Sequence, residues 1–94
     1  MPLKKREYEL DGKAINCMAD FYLELGKQLP LPSYFGDNLD ALWDFLTTDL
    51  QGPCKLVWLD SEHSRTSMGD DFKILVKIFE EVSEEREEFL FVLR

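Results

Sequence analysis

Two short runs, Lys55-Leu56-Val57-Trp58-Leu59 and Phe89-Leu90-Phe91-Val92-Leu93, are apolar at almost every position. A strand apolar on both sides needs cover on both faces, which points to a parallel sheet rather than an antiparallel one with a wet side. An earlier stretch, Tyr8-Glu9-Leu10, alternates and then meets the turn signal Asp11-Gly12, so residues 6–10 read as a first strand. Strands kept apart by helices lie parallel, with the helices packed on the sheet.

The intervening stretches carry helical spacing. Met18, Phe21, Tyr22, Leu25 and Leu29 repeat at three and four, predicting a helix over residues 18–29 that Pro30 and Pro32 end. Ser33-Tyr34-Phe35-Gly36 is a loop, after which Asp37 or Asn38 caps a second helix running to about Thr48. Gly52-Pro53 breaks the chain, and residues 60–69 are polar enough to read as a loop with room for one helical turn. Asp70 or Asp71 opens a third long helix, to about Glu85. The order is strand, helix, helix, strand, helix, strand, in one α/β domain spanning residues 1–94. No repeat or linker interrupts it.

The net charge of −8 narrows the partners. Phosphates attract Lys and Arg, so this balance argues against direct nucleic-acid binding and leaves a cationic partner or simple solubility. No apolar run approaches the roughly 20 residues that span a bilayer. The basic start, Met-Pro-Leu-Lys-Lys-Arg, leads into Glu7, Glu9 and Asp11 and does not read as a signal peptide. Cys17 and Cys54 sit in apolar neighbourhoods and read as buried thiols rather than a disulfide framework. A reducing cytoplasm fits.

Residues 34–46 carry the most chemistry. At about 100° per residue, Leu39, Leu42, Trp43 and Leu46 fall within an arc of roughly 100° that faces a core. Asp37, Asp40 and Asp44 fall within about 60° of one another on a different side, with Trp43 at the border. Asp37 is explained by a capping role, and Asp40 gains roughly 0.3–1 kcal/mol from the helix dipole. Asp44 lies past the first turn, and its like charge four residues from Asp40 costs a few tenths of a kcal/mol. Aspartate is also a poor helix former, so helix stability does not account for Asp44. Trp43 has a core explanation and Tyr34 a loop-anchor explanation. Yet carboxylates beside aromatic rings also make a protein-binding surface.

At these residues the sequence resembles the barstar family. The run from Leu31 to Asp44, Leu-Pro-Ser-Tyr-Phe-Gly-Asp-Asn-Leu-Asp-Ala-Leu-Trp-Asp, matches the family signature Leu-Pro-x-Tyr-Tyr-Gly-x-Asn-Leu-Asp-Ala-Leu-Trp-Asp at nearly every place. Pro53 before the second strand, Trp58 within it and the long third helix fit as well. The resemblance implies a three-stranded parallel sheet flanked by helices, and a loop and second helix that enter the active site of a barnase-like, basic, extracellular-type ribonuclease. Asp44 would take the place of a substrate phosphate, with Asp40 a second interface aspartate. Tyr34 and Trp43 would pack against the enzyme, with Phe35, Gly36, Asn38, Leu39 and Thr47 in the same patch. An acidic residue late in the third helix completes the family's site, and ungapped counting gives that role to Glu81. Glu80 competes. The helical wheel favours Glu81, about 20° from Ile74 at the margin of the apolar stripe, over a Glu80 turned to solvent.

Three departures accompany the match. Phe35 stands where a second tyrosine is common, Asp37 replaces a longer glutamate, and Thr48-Asp49-Leu50-Gln51 lacks the tryptophan of the family's best-known member. They leave open an interaction module that serves a different basic partner. Catalysis finds little support. The one histidine, His63, falls in the polar stretch and reads as solvated, and no nucleophile–base pair or glycine-rich phosphate loop is present. No cofactor or metal is expected. The expected state is a monomer that forms a 1:1 complex.

Overall fold

The structure is a computed structural model and describes residues 6–94. The first five residues of the basic N-terminal run, and with them the signal-peptide question, lie outside the described residues. Three strands, β1 (Arg6–Asp11), β2 (Cys54–Leu59) and β3 (Phe89–Leu93), form one parallel sheet in the order β1-β2-β3. Tyr8 pairs with Leu56 and Leu56 with Phe91, so the three strands run in step. The crossover from β1 to β2 carries α1 (Met18–Gln28) and α2 (Leu39–Asp44). The crossover from β2 to β3 carries α3 (Ser61–Met68) and α4 (Asp70–Glu85).

The helices deliver their apolar stripes to one core. Phe21, Leu25, Leu42, Leu46, Leu75, Phe79 and Val82 meet Cys54, Leu56 and Trp58 of β2, and burying each large side chain contributes about 1.5–3 kcal/mol. Phe21 stacks on the Trp58 ring at 5.7 Å between centroids, and Phe72 meets Trp58 edge-on at 5.0 Å. Gly12 is buried where β1 ends, and a Cβ there would collide with the Leu59 carbonyl oxygen.

Five expectations need correction. Residues 61–68 form a full helix rather than a loop. The stretch lacks apolar periodicity because α3 is held by small polar residues. Ser64 Oγ accepts the Trp58 indole N–H at 3.0 Å and donates to the Gly12 carbonyl at 2.8 Å. His63 stays exposed on this helix, its Nε2 lying 2.8 Å from Asn16 Oδ1.

β3 is not covered on both faces. Leu90 is 44% exposed and Leu93 43%, because β3 is an edge strand with one side unpaired. Cys54 is buried, but Cys17 is exposed, since it occupies the extended N-cap position of α1 rather than the helix interior.

Of the two candidate caps for α2, Asn38 fills the role, its Oδ1 accepting the Ala41 N–H at 2.8 Å, and the capping explanation for Asp37 falls away. α2 is also shorter than predicted. It passes into a π-helical segment, Phe45–Asp49, closed by the Leu50 N–H on the Phe45 carbonyl at 2.8 Å. The extra residue in that turn lets Phe45 and Leu46 both face the core.

Candidate recognition surface

The loop before α2 is built on Phe35, not Tyr34. Phe35 donates its N–H to the Pro32 carbonyl at 3.0 Å, and its ring packs between Tyr22 and Phe45, 6.2 Å from each. Tyr34 is left 80% exposed beside it. A large ring in that position has no core partner to satisfy, which removes the loop-anchor explanation for Tyr34. The Gly36 carbonyl accepts the Asn38 N–H at 2.6 Å, tightening the chain into the cap.

On α2 the two sides separate as the periodicity predicts. Leu42 and the following Leu46 are fully buried, whereas Leu39 and Trp43 are half-buried and rest against the core. Asp37, Asp40 and Asp44 are exposed, and among the described residues neither Asp40 nor Asp44 has a hydrogen bond or an ion pair. Four residues apart on one helix, Asp40 and Asp44 share a side. Thr47 is half-buried and spends its hydroxyl on the Trp43 carbonyl, donating at 2.7 Å. Asp37 has a different neighbour, because its charge acts on the buried Tyr22 hydroxyl.

The loop and α2 enclose a cleft of about 200 Å³. Tyr34, Phe35 and Phe45 supply aromatic wall, Gly36 part of the lip, and Asp44 and Asp49 the carboxylates. Asp49 is a residue the sequence did not reveal. In an uninterrupted α-helix, five residues place it about 140° round from Asp44. The π turn, with its i→i+5 closure, brings the two back to one cleft.

On α4, Glu81 and Glu80 are both exposed. The wheel argument for Glu81 rested on Ile74 belonging to the packed stripe, yet Ile74 is 43% exposed, and the buried face is Phe72, Leu75, Phe79 and Val82. Glu80 is the one that borders a neighbouring element, in a groove with Ser83, Leu90 and Phe91. Helix periodicity therefore does not choose between the two glutamates.

Beneath the surface, Arg86 fixes the end of the π segment. Its Nη1 donates to the Leu46 and Leu50 carbonyls, each at 2.7 Å. Among the described residues, no group of three or more His, Cys, Asp or Glu side chains is placed to hold a metal ion. Among the described residues, no helix is long and apolar enough to cross a membrane.

Comparison with known proteins bears on the same surface. The family model described as "Barstar (barnase inhibitor)" matches residues 6–94. A Bacillus subtilis (strain 168) protein named "Putative ribonuclease inhibitor YrdF" is 33% identical over 89 residues, spanning 94% of this chain and 98% of that protein.

Proposed function

This chain belongs to the barstar family, and we propose that it inhibits a barnase-like ribonuclease by filling the enzyme's cationic active site with carboxylates. The observation that carries this reading is the exposure of Asp40 and Asp44 on one side of α2 without any cation of the described chain to neutralise them. Like charges at that spacing destabilise a helix, so the pair is accounted for by a partner that supplies positive charge.

A ribonuclease must hold polyanionic RNA, so its cleft carries Arg, Lys and His. Asp44 takes the central phosphate position and Asp40 a second one, with Glu81 or Glu80 completing the acidic set from α4. Tyr34 and Trp43 exclude water around the charges, and Phe35, Gly36, Asn38, Leu39 and Thr47 hold or complete the patch. A side chain restrained by its helix loses little entropy on binding, which favours carboxylates on α2 over carboxylates on a loop. Opposite net fields accelerate encounter, and the rate falls as salt screens them. The protein acts as a monomer in a 1:1 complex, in the cytoplasm, with no catalytic step of its own.

The test is titration of a barnase-like ribonuclease with this protein at low and high salt. The expected result is inhibition complete at one equivalent, with association slowed as salt rises. Unaltered ribonuclease activity at an excess of the protein would overturn the reading.

A further inference from the structure

The two edges of the sheet are guarded differently. β1 carries Arg6, Glu7, Glu9 and Asp11, the kind of charges with which natural edge strands discourage pairing. β3 has no charge, proline or bulge, and among the described residues no strand pairs with its outer edge. Leu90 and Leu93 are exposed on it, and with Phe91 they line a groove beside α4.

The backbone sets how that edge can be completed. The Cys54 N–H donates to the Glu88 carbonyl and the Arg94 N–H to the Trp58 carbonyl, each at 2.9 Å. Backbone groups alternate along a strand, so residues 88, 90, 92 and 94 turn theirs to β2. Phe91 and Leu93 turn theirs outward, as does the Phe89 carbonyl, while the Phe89 N–H is taken by the Arg86 carbonyl. An antiparallel second copy of β3 centred on Phe91 fits these groups. The two Phe91 residues exchange N–H and C=O, and each Leu93 N–H meets the other copy's Phe89 carbonyl. The same register sets Leu90 opposite Val92 and Arg94 opposite Glu88, cross-strand pairs that favour association. A centre at Leu90 would set Arg94 against Arg86, and a centre at Val92 would set it against Leu90. Arg94 has no ion pair among the described residues, and Glu88 gives only its Oε1 to Arg86. Charge thus selects the register that the backbone allows.

We infer that β3 is a self-docking surface, through which two copies of this chain join edge to edge about a two-fold axis at Phe91. The pairing does not rest on the proposed function, and none of its residues lies on α2 or the loop before it. A five-residue edge buries less than the roughly 1,200 Å² of stable complexes, so the pair is weak, with a Kd of about 1 mM. Dilute protein is therefore a single copy, in keeping with a 1:1 complex.

Sedimentation of the full chain tests this. Its weight-average mass is expected to rise by about half between micromolar and millimolar protein, and never to pass that of two copies, since the pair uses up both β3 edges. Leu90→Lys, at an exposed position, is expected to abolish the rise. R94E and E88R are each expected to abolish it alone and to restore it when mixed in equal amounts, because the mixed pair sets opposite charges at both ends. In the unaltered protein, exchange of the Phe91 and Leu93 amide hydrogens is expected to slow as concentration rises. Constant mass up to about 1 mM, growth beyond two copies, or a rise that survives Leu90→Lys would overturn the proposal. So would a mixture that behaves as its components do, or amide exchange at Phe91 and Leu93 that ignores concentration.

Discussion

Arg86 and Leu50 are joined across the molecule. The guanidinium at the end of α4 donates from Nη1 to the Leu50 carbonyl at 2.7 Å and to the Leu46 carbonyl at the same distance. Its other side holds Glu88 through Nη2 at 2.8 Å, and the side chain is only 13% exposed. A cation at a helix C-terminus satisfies carbonyls that have no partner in the helix, and this one ties the π segment after α2 to the end of α4. Replacing Arg86 with Ala is expected to cost about 2–3 kcal/mol, the range for charge-assisted hydrogen bonds lost from a largely buried site. Urea unfolding checks this as a lower midpoint at unchanged slope.

Tyr22 is 8% exposed, and its hydroxyl is buried without a hydrogen-bond partner among the described residues. Tyr22→Phe removes that unmet group and keeps the ring packing, so it is expected to raise stability by about 1 kcal/mol. Burial, and secondarily the charge of Asp37, pushes the Tyr22 hydroxyl above its ordinary value of 10.0. The folded state thus holds the proton more tightly than the unfolded state. The associated stability is complete below about pH 10 and is lost as pH rises through the folded-state value. A pH series of denaturation midpoints should show a shallower alkaline decline in Tyr22→Phe than in the unaltered protein.

Ser64 links α3 to the sheet, accepting from Trp58 and donating to the Gly12 carbonyl. Ser64→Ala orphans both groups in a fully buried site. A loss of about 2–4 kcal/mol is expected from two unmet polar groups, measurable by thermal or chemical denaturation.

Cys17 and Cys54 should separate under a thiol reagent. Exposed Cys17 is expected to react within the mixing period in the native state, whereas buried Cys54 reacts only as the protein opens. Mass spectrometry of the labelled peptides reads both rates.

The parallel sheet and helices α1, α2 and α4 were legible in the sequence because their apolar residues recur with a regular period. The two apolar runs of β2 and β3 and the three-and-four spacing of α1 and α4 needed no tertiary information. α3 was not legible, because Ser64 is buried through hydrogen bonds rather than hydrophobicity. The exposure of Leu90 was hidden for the opposite reason, since an edge strand and a central strand can carry the same residues. In the candidate surface, Asp40, Asp44 and Trp43 fell where an ideal helix puts them. Asp49 did not, because a π turn has no sequence signature and shifts every later position. Arg86 was invisible until α4 and the π segment were seen to be neighbours.

The carboxylate of Asp44, seated where RNA would place a phosphate, is the claim on which the rest depends. Its most direct measurement compares Asp44→Ala with Asp37→Ala as inhibitors of a barnase-like ribonuclease at fixed salt. Asp37 shares the charge and the exposure but lies outside the assigned site, so the pair separates position from net charge. A loss of inhibition by Asp44→Ala at least a hundredfold greater than that by Asp37→Ala is the predicted result. Equal losses would mean that the acidic surface acts only as a diffuse charge, and would contradict the account.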